Sequence, residues 1–134
     1  MNPPQVLIER TAIAALCDST HEQHDVVAAA FGTLLDDFEN HQLLLVAVSD
    51  HLRPYREWYD LTHKGVLAPV DSLHVGYQHR RAARRMATVS DFEAALTLVM
   101  CQRNKVAGML TLDPQFLEYD IDVRLVGDDD DVRI

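Results

Sequence analysis

Four acidic residues fall where a parallel α/β sheet would bring them to one edge. Glu9 ends the stretch QVLI, Asp50 follows LLLVAVS, Asp113 follows GMLTL, and Asp91 opens the helix that precedes this last strand. Ligands of such sheets bind beyond the carboxyl ends of the strands, so these are the residues to inspect. Converging carboxylates repel one another unless a hard cation compensates, and Mg²⁺ or Mn²⁺ takes oxygen ligands of this kind. The chemistry that follows is metal-assisted phosphodiester hydrolysis, in which the ion acidifies bound water and neutralises charge at the phosphate. Each acid also has a purely structural reading: Asp50 and Asp91 as helix caps, and Asp113 before Pro114 as a turn residue. Glu9 is the least easily dismissed, because a charge between an apolar strand and an apolar helix is expected to point away from the core.

A second group is basic. The run HRRAARR, His79 to Arg85, sets Arg80 against Arg84 and Arg81 against Arg85 as like-charge pairs four residues apart, at some electrostatic cost to a helix. The run reads either as a solvated face or as a stripe for an RNA backbone or a protein partner. The net charge of −9 argues against a generic nucleic-acid coat, although four of the acids lie in the terminal run Asp128 to Asp131. On an acidic protein a local positive patch guides a polyanion to one surface.

Other chemistries have less support. Cys17 and Cys101 form no CxxC pair and read as buried thiols. Cys17, His21 and His24 have a spacing that zinc could use, but there is no second ligand pair. Neither GxGxxG nor a phosphate loop occurs, and no motif positions a Ser or Cys nucleophile, which disfavours a small-molecule enzyme on another α/β fold.

The elements that must position these groups follow from periodicity. Gln5 to Ile8 predicts a strand turning directly into a helix at Thr11 to Cys17, and Asp25 to Phe38 an amphipathic helix. The unbroken apolar run Leu43 to Val48 predicts a strand covered on both faces, hence a parallel sheet. From Asp50 to Val70 a helix interrupted at Pro54 and then a loop are expected. Ser72 to Val75 reads as a strand, Tyr77 to Met86 as a basic helix, and Ser90 to Gln102 as a helix capped by Ser90. Strands at Val106 to Leu112 and Asp122 to Val126 complete the set. The order predicts one α/β domain over residues 1–127, a three-layer α/β/α sandwich, followed by a disordered acidic tail, 128–134. No stretch approaches the roughly 20 apolar residues of a membrane span, and nothing directs the chain out of the cytosol.

Three blocks, VLIERTAIAALCD (6–18), TVSDFEAALTL (88–98) and GMLTLDPQF (108–116), resemble the signature regions of PIN domains, particularly the VapC-type toxins. The family forms are an apolar strand with Asp and then Ser or Thr two residues later, a helix opening with Asp before an Ala-rich stretch, and a strand ending in Thr-x-Asp or Asn-x-Asp-Phe. The order and spacing agree over nearly the whole chain. The resemblance implies a five-stranded parallel sheet, a homodimer and a Mg²⁺- or Mn²⁺-dependent endoribonuclease, with a small antitoxin protein covering the site. Carried over, it makes Glu9, Asp91 and Asp113 catalytic metal ligands and Thr11 their accompanying hydroxyl; Arg80, Arg81, Arg84 and Arg85 would hold RNA phosphates. Glu9 stands for the family's first Asp, Gln115 for its second acid before Phe116, and Tyr55 near its helix Glu, with Asp50 and Glu57 the acids nearby. These departures keep a second reading open, a non-catalytic PIN-like module that binds RNA or a protein.

Overall fold

The structure, a computed structural model, describes residues 3–55, 58, 70–87, 91–118, 122–126 and 132–133. In chain order they form β1 (Gln5–Ile8), α1 (Arg10–Cys17), α2 (His24–Glu39), β2 (Leu44–Val48) and the single turn α3 (Ser49–Leu52). Next come β3 (Asp71–Leu73), α4 (Tyr77–Met86), α5 (Phe92–Arg103) and β4 (Gly108–Thr111). A 3₁₀ turn (Pro114–Glu118), β5 (Asp122–Val126) and β6 (Val132–Arg133) follow. The acidic run 128–131 lies outside the described residues.

The strands form one sheet in the order β3-β2-β1-β4-β5-β6. Every pairing from β3 to β5 is parallel, and β6 runs antiparallel to β5. The central strand β1 shows why both faces must be covered. Val6 and Ile8 enter a core built with α1 and α2, whereas Leu7 enters a second core with Val46, Val48, Met109 and the apolar residues of α5. Strand residues alternate between the faces and both are apolar, so a helix layer is needed on each side. This α/β arrangement is compatible with the expected three-layer sandwich. Phe31 and Trp58 close the α2 side edge to face, with ring centroids 5.9 Å apart. Cys101 is buried in the other core, where loss of water and then the nearby Glu9 carboxyl push its thiol up to about 12. No helix among the described residues is long and apolar enough to cross a membrane.

Several expectations change. The sheet has six strands among the described residues rather than five, with β6 inside the tail expected to be disordered, and β3 is Asp71–Leu73 rather than Ser72 to Val75. The cap of α5 is Asp91, whose side chain accepts from the Ala94 N–H, and the helix starts at Phe92; Ser90 lies outside the described residues. Trp58 is helical again beyond Pro54, so the interruption expected there is observed, and the part that follows Asp50 is the single turn Ser49–Leu52. It ends before Pro54, whose ring cannot donate a backbone hydrogen bond and blocks the preceding turn.

Helices α2 and α5 both stop through a left-handed residue that is not glycine. His41 has φ 60° and Lys105 φ 54°. In each case the next amide reaches back over the turn, Gln42 N to Asp37 O and Val106 N to Cys101 O, both at 2.9 Å. These closures aim the chain into β2 and β4. A left-handed side chain clashes with its own carbonyl, whereas glycine has no such penalty. Exposed Lys105 is therefore expected to yield about 0.5–1 kcal/mol of extra stability when replaced by Gly, net of glycine's entropy. Urea unfolding checks this, and equal or lower stability would contradict the strain at that turn.

Candidate functional site

The register that pairs Ile8 with Leu110 sets Glu9 beside Thr111, where two strands end and the chain turns away. Glu9 is also the N-cap of α1, so its carboxyl group is held at the strand-helix junction. Its Oε1 accepts from the Thr11 N–H at 3.0 Å, from the Thr11 hydroxyl, and from the Thr111 hydroxyl at 2.6 Å. Glu9 is only 2% exposed. The expectation that it points away from the core is therefore corrected: three donors on one oxygen make burial tolerable, where an unmatched carboxyl group would cost several kcal/mol.

From this junction the hydrogen bonds run outward. The Thr11 hydroxyl accepts from the Leu112 N–H at 3.0 Å, and the Thr111 hydroxyl accepts from the Asp113 N–H at 2.9 Å. Asp113 Oδ1 in turn accepts from the Gln115 N–H at 3.0 Å. The Gln115 side-chain amide donates to Asp113 Oδ2 at 2.5 Å and to Asp91 Oδ2 at 3.2 Å. Only the NH₂ end of an amide can face two carboxylates, because its carbonyl would meet acceptors alone. Glu9, Asp113 and Asp91, which lie far apart in sequence, are thus joined through Thr111 and Gln115.

Asp50 stands apart from that chain. Its carboxylate pairs with Arg80 and, at 3.8 Å, with Arg53. Arg80 is thereby tied to an acid, while Arg81, Arg84 and Arg85 are exposed. Arg84 and Arg85 also occupy the last turn of α4, where positive charge suits the helix dipole. Glu57 lies outside the described residues. His21 Nδ1 accepts from the Gln23 N–H at 3.0 Å, and His24 Nδ1 lies 2.8 Å from the Ala15 carbonyl. Both rings meet backbone through Nδ1, and Cys17, His21 and His24 do not form a group that could hold a metal ion.

A cleft of about 540 Å³ opens beside Thr11. Arg10, Asp50, His51, Tyr55 and Glu93 line it, and none of Glu9, Asp91 and Asp113 does. The buried His51 ring meets Glu93 Oε2 through Nε2 at 2.8 Å, linking α3 to α5.

Oxygen donors of the right type are present for a hard cation, yet no three His, Cys, Asp or Glu side chains among the described residues stand close enough to hold one. The fit is to the Asp91 and Asp113 pair around the Gln115 amide. That suits Mg²⁺, which is often bound through one or two carboxylates with water and phosphate completing its shell. Glu9 instead faces protein donors. No protein-family model matches the chain, and no curated protein matches it.

Sequence reasoning passed over Thr111 and the bridging role of Gln115. The signal for Thr111 was present: a hydroxyl at the end of an apolar strand, fully buried, needs a polar partner. Nothing in the sequence aimed the Gln115 amide, since its direction depends on the turn after Asp113.

The Ala94 N–H holds the Asp91 carboxyl below the usual carboxylate range; partial burial opposes this, and the Gln115 amide and Arg10 add to it. A lowered folded value means that the charge stabilises the protein above the ordinary value of 3.8 and that this contribution fades as pH falls through the folded value. Asp91→Ala should lose about 1 kcal/mol with the cap, and Asp91→Asn, itself a good cap, much less. The gap between wild type and Asp91→Asn should narrow below pH 3.8 in denaturation curves. Equal losses for Ala and Asn, or a gap that widens in acid, would refute the capping account.

Proposed function

We propose that this chain is a PIN-like protein whose acidic sheet edge serves divalent-metal-dependent cleavage of RNA. The observation that carries this reading is the convergence of Asp91 and Asp113 on the single Gln115 NH₂ group. A partial positive charge held between two carboxylates occupies the position that a cation would favour. Asp91 and Asp113 would hold Mg²⁺ or Mn²⁺, and that ion would activate water and neutralise charge at the scissile phosphate. Glu9 and the two threonines act in support: they fix the ends of β1 and β4, and so the turn that presents Asp113. The parallel strand order and the three sequence blocks that resemble PIN domains support the same reading. A homodimer and a small antitoxin that covers the edge are part of the proposal.

The second reading is favoured by the same amide. If Gln115 satisfies both acids permanently, the edge needs no ion, and the chain is a catalytically impaired PIN-like module that binds RNA or a protein.

A cleavage assay on single-stranded and hairpin RNA, with Mg²⁺ or Mn²⁺ against a chelator, separates the two. The nuclease reading expects ion-dependent products that fall by about two orders of magnitude in Asp91→Asn, since even outer-shell partners of metal sites cost ten- to hundred-fold. Gln115→Asp, which replaces the bridging donor with a further oxygen ligand, should tighten Mn²⁺ binding and raise the rate. RNA binding without cleavage in the wild type and in folded Gln115→Asp alike would establish the module instead.

A further inference from the structure

The arginine run of α4 divides into two parts with different surroundings. Arg80 turns to Asp50, whereas Arg81 and Arg85 line a separate groove of about 430 Å³ with Tyr77 and with Arg103, the last residue of α5. Tyr77, Arg81 and Arg85 recur every four residues, so they form one stripe whose members advance about 6 Å along the helix at each step. Among the described residues, none of the three groove arginines makes an ion pair. Tyr77 is 74% exposed, and among the described residues Leu117 is the one other exposed large hydrophobic side chain.

Each half of this arrangement implies part of a ligand. Three guanidiniums around one groove suit phosphate oxygens, which they can grip in pairs of hydrogen bonds. The advance of about 6 Å along α4 from Arg81 to Arg85 is of the order of the distance between neighbouring phosphates in an extended strand. An open tyrosine ring within the same stripe suits a flat, unstacked base. A duplex keeps its base faces stacked away from such a ring, and inorganic polyphosphate has none. The net charge of the chain is −9, so a local positive groove directs a polyanion to this place rather than to the protein at large.

We propose that the groove between α4 and α5 is a binding site for single-stranded polynucleotide, with phosphates on Arg81, Arg85 and Arg103 and an unpaired base stacked on Tyr77. It rests on the functional reading for its ligand class, but it uses none of the acids and requires no metal ion.

The test is fluorescence anisotropy on labelled 12-nucleotide single strands, as RNA and as DNA, in chelator. Wild type should bind, and the Arg81, Arg85 and Arg103 triple Ala variant should lower the salt slope by about 2, at about 0.7 per single-strand phosphate contact. Tyr77→Ala should weaken binding roughly ten-fold, as loss of one stacked base does, while Tyr77→Phe keeps the affinity. Arg80→Ala, followed with a thermal melt to confirm folding, should leave binding unchanged. Tighter binding of the RNA than of the DNA strand assigns RNA, and parity assigns single strands of both kinds. Competition by polyphosphate or duplex as effective as by single strand, with no effect of Tyr77→Ala, would overturn the proposal, as would absence of binding. Because this binding assay contains no ion, binding here with no products in the ion-dependent cleavage assay points to failure at the acidic edge, and products there with no binding here point to failure at the groove.

Discussion

A carboxyl group buried where the central strand becomes a helix has to find donors from the chain itself, and this requirement at Glu9 organises the whole sheet edge. One donor is local, the Thr11 amide that the cap of α1 always exposes. Another comes from the far end of the sequence, the hydroxyl of Thr111 at the end of β4. That contact exists only in the observed parallel register of β1 against β4. A slip of one residue would move every side chain of β4 to the opposite face, breaking both the hydrogen bond and the two cores. The charge therefore reinforces the register that apolar packing already favours.

The same junction conveys order outward. Thr111 receives the Asp113 amide, Asp113 receives Gln115, and Gln115 reaches Asp91 at the start of α5. Asp91 is thus both a helix cap and the outer end of the chain of contacts, so the structural and chemical readings of this residue are compatible. Asp113 likewise is a turn residue and half of a carboxylate pair. The positive face, by contrast, splits. Arg80 neutralises Asp50 beside the cleft, and the remaining arginines look toward solvent or the α4 and α5 groove.

Much of this was legible in the sequence where a pattern had one physical solution. The boundaries of α4 and β5 emerge as expected, the first between Gly76 and the chain's turn at Ala87, the second from its apolar alternation. The parallel sheet followed from LLLVAV, which no single-faced sheet could bury. What escaped was direction. Glu9 was expected to avoid the core because charge alone disfavours burial, but its donors are two groups of neighbouring Thr11 and the hydroxyl of Thr111, which is 102 residues away in sequence. Asp50 was grouped with the other acids because it follows a strand, and only the fold brings Arg80 against it. Ser90 and Asp91 are both good caps, and the sequence alone could not choose between them.

The central claim is that the acids form one coupled unit through Thr111 and Gln115, although these two side chains share no direct hydrogen bond. A double-mutant cycle on stability measures this most directly, using Thr111→Val, Gln115→Ala and the pair, unfolded in urea at neutral pH. Coupling through the shared Asp113 predicts that the double variant departs from the sum of the singles by more than about 0.5 kcal/mol. Additivity within that margin would show two independent contacts and would contradict the account.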